Sequence, residues 1–232
     1  MFINGFDILW DEIDDYVADI QSIRSIDQLT FSKPVTFFCG ENGSGKSTLL
    51  EALAIKNGLN PEGGTRNYNF STYDSYSDLH NHMRLWRSRK PDWMYFLRAE
   101  SFYNVATKEM EYSGVFSERY HDQSHGQSFF SVLMKQTNKN GLYLLDEPEA
   151  ALSCQNQLAL LYLIQSCVKQ NCQFIIATHS PILLGFPGAQ ILSFDDGKVE
   201  EVDYKSTSSY QTMKLFLDRY DYFVKDIKEN EI

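Results

Sequence analysis

The chain has 232 residues, with 31 Asp and Glu against 21 Lys and Arg for a formal net charge of -10, and 43% of its residues are apolar. That length suits one α/β domain or a core domain carrying one insertion. The apolar share, with 14 Tyr and 16 Phe spread along the chain, excludes a disordered or low-complexity protein, and the acidic balance argues against a surface that clings as a whole to nucleic acid or anionic membrane.

The N-terminus lacks the basic-then-apolar pattern of an export signal, and no apolar run approaches the roughly 18 residues of a membrane helix. A cytoplasmic protein without a membrane segment is the expectation. Cys39, Cys154, Cys167 and Cys172 form no C-x-x-C pair and lie in or beside stretches that read as core, so buried reduced thiols are expected rather than a zinc site or a disulfide framework.

In chain order, residues 16–31 end in the alternation Leu29, Phe31 and predict antiparallel strands. Val35 to Cys39 is a short, nearly continuous apolar strand, followed by a glycine-rich turn and a helix from Ser47 to Ile55. From Asn57 to Lys90 the composition turns polar, with a helical stretch near Leu79 to Trp86, and reads as inserted structure. Trp93 to Leu97 predicts a strand, Gln127 to Gln136 a helix, Leu142 to Leu145 a buried strand, Leu158 to Val168 a helix and Phe174 to Ala177 a further strand. Alternating β and α elements imply a parallel sheet. Gln190 to Val202 reads as a hairpin through Asp196 and Gly197, and Met213, Phe216, Tyr220, Val224 and Ile227 outline one closing amphipathic helix.

Four segments carry chemistry. Gly40, Glu41, Asn42, Gly43, Ser44, Gly45, Lys46 and Ser47, followed by Thr48, spell the G-x-x-x-x-G-K-S/T pattern between a strand and a helix. Its glycines let successive N–H groups point inward around phosphate oxygens, and the helix adds its positive dipole end. Lys46 supplies a mobile charge to the β and γ phosphates, and the Ser47 hydroxyl suits Mg2+. Leu142 to Pro148 is an apolar strand ending in two acids, which delivers Asp146 to the magnesium and places Glu147 beside the attacking water. His179, after the strand Phe174 to Ala177, would emerge over the bound phosphates as a hydrogen-bonding sensor. Ser124, His125, Gly126 and Gln127 open a predicted helix, where hydroxyl, backbone N–H and dipole suit an anion.

In this order the segments resemble the Walker A, signature, Walker B and switch-histidine motifs of ABC-class ATPases. Residues 96–103 and 142–153 resemble the small bacterial stand-alone AAA/ABC-type ATPases related to the RecF and SMC heads. The resemblance implies an ABC-type P-loop NTPase fold: a mainly parallel sheet flanked by helices, with an antiparallel β portion and a small helical insertion. It implies one domain over residues 1–232, with a nucleotide-binding core of 1–56 and 91–232, inserted structure over about 57–90 and a signature-bearing helical part over about 101–136.

It also implies ATP and Mg2+ as cofactors and a head-to-tail homodimer formed on ATP binding. Ser124, Gly126 and Gln127 of one copy would close over the ATP held by Lys46 of the other, and Ala150 to Ser153 would cross between the two sites. Glu147, His179 and Lys46 are the expected catalytic residues, and Ser47, Asp146 and Glu100 the expected magnesium contacts. An unidentified protein or nucleic-acid partner would be worked by the switch, in DNA maintenance or defence; the alternatives are the ATP-binding subunit of an ABC transporter and an ATP-dependent module that does not hydrolyse. The match departs from transporter cassettes at His125, where they carry glycine, at Ser153, where they carry an acid, at Glu100, where they carry glutamine, and in lacking a leucine before Ser124. Arg84, Arg87, Arg89 and Lys90, with Trp86 and Trp93, read as a solvated face before a phosphate-backbone patch.

Overall fold

The computed structural model describes residues 1–10, 13, 15–65, 76–98, 137 and 139–229. In chain order it has β1 (Ile3–Ile8), α1 (Gln21–Arg24), β2 (Gln28–Thr30), β3 (Val35–Cys39), α2 (Lys46–Lys56), α3 (Leu79–His82), β4 (Met83–Arg87), β5 (Trp93–Arg98), β6 (Gly141–Asp146), α4 (Cys154–Val168), β7 (Gln173–Ala177), α5 (Pro181–Leu184), β8 (Gln190–Ser193), β9 (Glu200–Glu201), α6 (Ser208–Asp218) and α7 (Tyr220–Glu229). Short 3-10 turns lie at Tyr16–Asp19, Pro148–Ala151, Asp195–Gly197 and Tyr204–Ser206.

The larger sheet has the order β5-β6-β7-β3-β8-β9, parallel throughout except for the closing antiparallel pair β8 and β9. β3, β5, β6, β7 and β8 are buried almost throughout, as strands covered on both faces are, while the edge strand β9 is exposed. Alternate side chains go to opposite layers: Phe38, Phe96, Leu142, Leu144, Ile175 and Leu192 face α2 and the smaller sheet, while Phe37, Tyr95, Tyr143, Leu145, Phe174 and Ile176 face α4 and α5. Each such large side chain, removed from water, contributes about 2 kcal/mol.

The smaller sheet, β2-β1-β4, is antiparallel. Two buried glutamines join it to the large one. Gln173 of β7 accepts from the N–H groups of Phe2 (2.7 Å) and Ile3 (3.0 Å) and donates to the Ile3 carbonyl (2.8 Å). Gln190 of β8 accepts from the Ser32 N–H at 3.0 Å and donates to the Thr30 carbonyl at 3.1 Å. With α2 held between the two sheets, its buried residues spread all round the helix, from Leu49, Leu50 and Glu51 to Leu53 and Ala54.

The mixed fold with a parallel core and an antiparallel portion is the expected class. Several elements differ from their expectation. Only Gln28–Thr30 of residues 16–31 is a strand, and Tyr16–Asp19 and Gln21–Arg24 are helical turns, with Val17, Ile20 and Ile23, three residues apart, packed into the core. The helix near Leu79 stops at His82, and Met83–Arg87 runs as a strand against β1. The closing helix is two helices broken at Arg219, whose φ of -127° is not helical. Cys39, Cys167 and Cys172 are buried, but Cys154 is exposed in the first turn of α4. The predicted helix Gln127 to Gln136 lies outside the described residues.

The basic cluster after α3 is a structural face. Arg84 donates to the buried Asp7 carboxylate at 2.6 Å, Arg87 to the Lys56 carbonyl, and Arg89 to the Asn171 carbonyl with its guanidinium 4.5 Å from the Phe2 ring centre.

Candidate functional site

Three adjacent strands deliver the site. Asp146 of β6 is level with Ala177 of β7, which is level with Phe38 of β3, so the carboxyl ends of these strands open on one crevice, where open α/β sheets bind ligands. Bonds from Glu147 N–H to the Ala177 carbonyl (2.9 Å) and from Thr178 N–H to the Phe38 carbonyl (3.0 Å) extend the ladder past the strand ends.

After β3 the chain folds into a loop ending at α2. Gly40 has φ +136°, and a Cβ there would stand 3.0 Å from Asp195 Oδ1. Gly45 has φ +93°, and a Cβ there would meet the Ile23 side chain at 2.7 Å. Both positions therefore admit only glycine without rearrangement. The loop is braced from outside: Asp195 accepts the Glu41 N–H at 2.9 Å, and the Ser22 hydroxyl donates to the Ser44 carbonyl.

Inside the loop Lys46 is buried and turned inward, donating to the carbonyls of Gly40 (2.8 Å) and Glu41 (2.7 Å). Burial pushes its ammonium below the usual lysine range, while the charges of Glu147, Asp195 and Asp146 pull it back. A phosphate group would supply the anion that these carbonyls only approximate. Ser47, at the start of α2, donates from its hydroxyl to Asp146 Oδ1 at 2.8 Å. Two hard oxygen donors thus converge at the helix N-terminus, a donor set that fits Mg2+.

Glu147 follows in the left-handed region, φ +48° and ψ +50°. For a side chain of this size that conformation costs about 1 kcal/mol and is a mark of functional sites. It sets the carboxylate 3.5 Å from His179 Nε2 without hydrogen-bond alignment. The His179 backbone is fixed by its N–H donating to Glu149 Oε1 at 2.6 Å, and the next residue, Ser180, caps α5 while donating to Gln157 Oε1 at 2.6 Å. A cleft of about 440 Å³ opens over Gly40, Glu41, Thr178 and His179, walled on its far side by Thr212 and Phe216 of α6.

The structure therefore brings together residues 40–48, Asp146, Glu147 and His179. Ser124, Gly126, Gln127 and Glu100 lie outside the described residues. Ala150 and Ala151 belong to the turn after β6, and Ser153 accepts the Asn156 N–H as the cap of α4, a task its hydroxyl performs as an acid would. Sequence reasoning missed Asp195, Arg98, Glu51 and Glu149. Arg98 ends β5 within the stretch singled out for Glu100, and a charged residue closing a buried strand was the available signal; Asp195 gave none, since its role depends on β8 lying beside β3.

The parallel order β6-β7-β3, the phosphate loop after β3 and the two acids at the tip of β6, one strand removed, are those of a P-loop NTPase fold. Comparison with known proteins adds that residues 18–80, which include the phosphate loop, match the family described as AAA domain, and residues 125–184, which include Asp146, Glu147 and His179, match the family described as AAA ATPase domain. An uncharacterized ABC transporter ATP-binding protein of Haemophilus influenzae is 28% identical over 182 residues, covering 67% of this chain and 68% of that one. Among solved structures the chain is similar to cbiO1 of Clostridium perfringens, part of the ABC transporter complex cbiONQ (16% identity, 97% of this chain and 100% of that one, TM-score 0.47). It is also similar to the SMC head domain of Thermotoga maritima (14% identity, 87% and 98%, TM-score 0.44).

Proposed function

We propose that this chain binds ATP and hydrolyses it with Mg2+ in a head-to-tail homodimer, acting as a nucleotide-driven switch on a protein or nucleic-acid partner in DNA maintenance or defence. The observation that carries the reading is the 2.8 Å approach of Ser47 Oγ to Asp146 Oδ1 beside the inward-turned Lys46. Residues 40–47 cup the triphosphate, and Lys46 exchanges its loop carbonyls for β and γ phosphate oxygens. Ser47 and Asp146 would hold Mg2+, with Glu100 as a further contact, and the ion when bound neutralises charge on the transferring phosphate.

Glu147 orients water for in-line attack and accepts its proton. His179, whose Nε2 lies 3.5 Å from Glu147 Oε1, would hydrogen-bond the γ phosphate. Ser124, Gly126 and Gln127 of a second copy complete the site in trans, a role supported by the family resemblance.

A second reading, the ATP-binding subunit of a transporter, is favoured by the description of the Haemophilus influenzae relative. Among the described residues no helix is long and apolar enough to cross a membrane; that reading predicts co-purification with a membrane protein.

Gel filtration of Glu147→Gln tests the switch. The variant retains ATP and loses the water-activating carboxylate, so it should elute as a dimer with ATP and Mg2+ and as a monomer without them. A monomer under both conditions contradicts the sandwich.

A further inference from the structure

Behind the Ser47–Asp146 pair lies a charge cluster that the proposed reaction does not use. Arg98 at the end of β5 is the ladder neighbour of Asp146. Its Nη1 donates to Glu51 Oε2 at 2.6 Å, and its Nε lies 3.7 Å from Asp146 Oδ2. Glu51 sits on α2, four residues after Ser47 and so on the same face of the helix. Ser47 holds one oxygen of Asp146, Arg98 faces the other, Glu51 holds Arg98, and the turn of α2 closes the ring.

The cluster is largely shielded, with the side chains of Glu51 and Asp146 at 11% and 7% exposure. A guanidinium this close to Asp146 fixes the orientation of the carboxylate, but it also competes with a divalent cation for the same oxygens and repels it. Glu51 offsets that charge. Burial pushes the Glu51 carboxyl up from its ordinary range while Arg98, hydrogen-bonded to it at 2.6 Å, opposes the shift.

We propose that Arg98 and Glu51 are positioning residues that set how tightly the Ser47–Asp146 site takes a divalent cation, Arg98 aiming Asp146 and Glu51 cancelling the arginine's charge. The inference rests on the reading of that site as a magnesium–nucleotide site. With Glu51 neutral, Arg98 turns its full charge on Asp146 and the cation binds less well; with both neutral, the competition disappears.

The test is calorimetric titration of a non-hydrolysable ATP analogue into the full chain, in EDTA and across a Mg2+ series, for the wild type, Glu51→Gln and Glu51→Gln with Arg98→Gln. Glu51→Gln should need about tenfold more Mg2+ for the same affinity, an effect of one uncancelled charge at this range, with affinity in EDTA no lower than that of the wild type. The double variant, whose two amides can still hydrogen-bond each other, should return to within about twofold of the wild type. A wild-type magnesium requirement in Glu51→Gln, or a double variant as impaired as the single one, overturns the inference and leaves the proposed function standing. A wild-type chain indifferent to Mg2+ overturns both.

Discussion

Lys46 meets its own loop where a ligand would meet it, and the cost of burying its ammonium is offset by two carbonyls and by the carboxylates around it. Replacing it by alanine removes a cation aimed into the loop and leaves the backbone cup intact. Lys46→Ala should weaken ATP binding by about 3 kcal/mol, roughly a hundredfold or more in Kd; titration of a fluorescent ATP analogue reads this directly, and undiminished affinity would argue against a phosphate site. Lys46, Ser47, Asp146 and Glu147 were legible in the sequence because each sits in a short segment with a recognisable local pattern, a glycine-rich loop between strand and helix or an apolar strand ending in two acids. Asp195, Arg98 and Glu51 were not, because they act across elements that meet only when the sheet is assembled.

The cysteines give a second prediction at this scale. Burial raises Cys39 and Cys167 to about 11 and also pushes Cys172 up, whereas Cys154 is exposed. Because the thiolate is the reactive form, iodoacetamide at pH 8 should label one thiol in the native chain and all four in guanidinium. The sign of the pH effect follows: the unfolded chain releases these protons first, so between about pH 9 and 11 the buried thiols lower stability as pH rises. Three or more rapid labels in the native chain would contradict the burial.

Among the elements, the strands covered on both faces were readable as short apolar runs, and β3, β5, β6 and β7 stand close to where that pattern puts them, while β8 and β9 are the arms of the hairpin read through Asp196 and Gly197. β1 and β4 carry polar and charged residues through their length, Asn4, Asp7, Arg84 and Arg87 among them, since the smaller sheet buries one face more fully than the other. Its attachment to the large sheet depends on Gln173, a residue that reads as ordinary polar surface and proves wholly buried. Gln173→Leu preserves volume but leaves the N–H groups of Phe2 and Ile3 without this acceptor. We expect a loss of about 3 kcal/mol, measured as a lower urea midpoint; an unchanged midpoint would show that the glutamine does not join the sheets. The break between α6 and α7 was hidden for a related reason: Phe216, Tyr220 and Ile227 keep helical spacing across Arg219 yet remain substantially exposed, so the apolar pattern there reflects no packing against the core.

Over the whole molecule, the parts agree on one arrangement. Two sheets clamp α2, the clamp fixes the loop ahead of it, and β6, on the far side of β7, brings Asp146 and Glu147 to that loop. The net charge of -10 gathers in part where it serves the site, at Asp146, Glu147 and Asp195 around Lys46. It also means that a nucleic-acid partner would have to bind a local patch, with an affinity falling steeply as salt rises. The most direct test of the central claim is phosphate release by the purified chain given ATP, with Mg2+ and with EDTA, beside Glu147→Gln. The account predicts turnover that requires Mg2+ and falls at least about a hundredfold in the variant; turnover in EDTA, or a Glu147→Gln protein as active as the wild type, would contradict it.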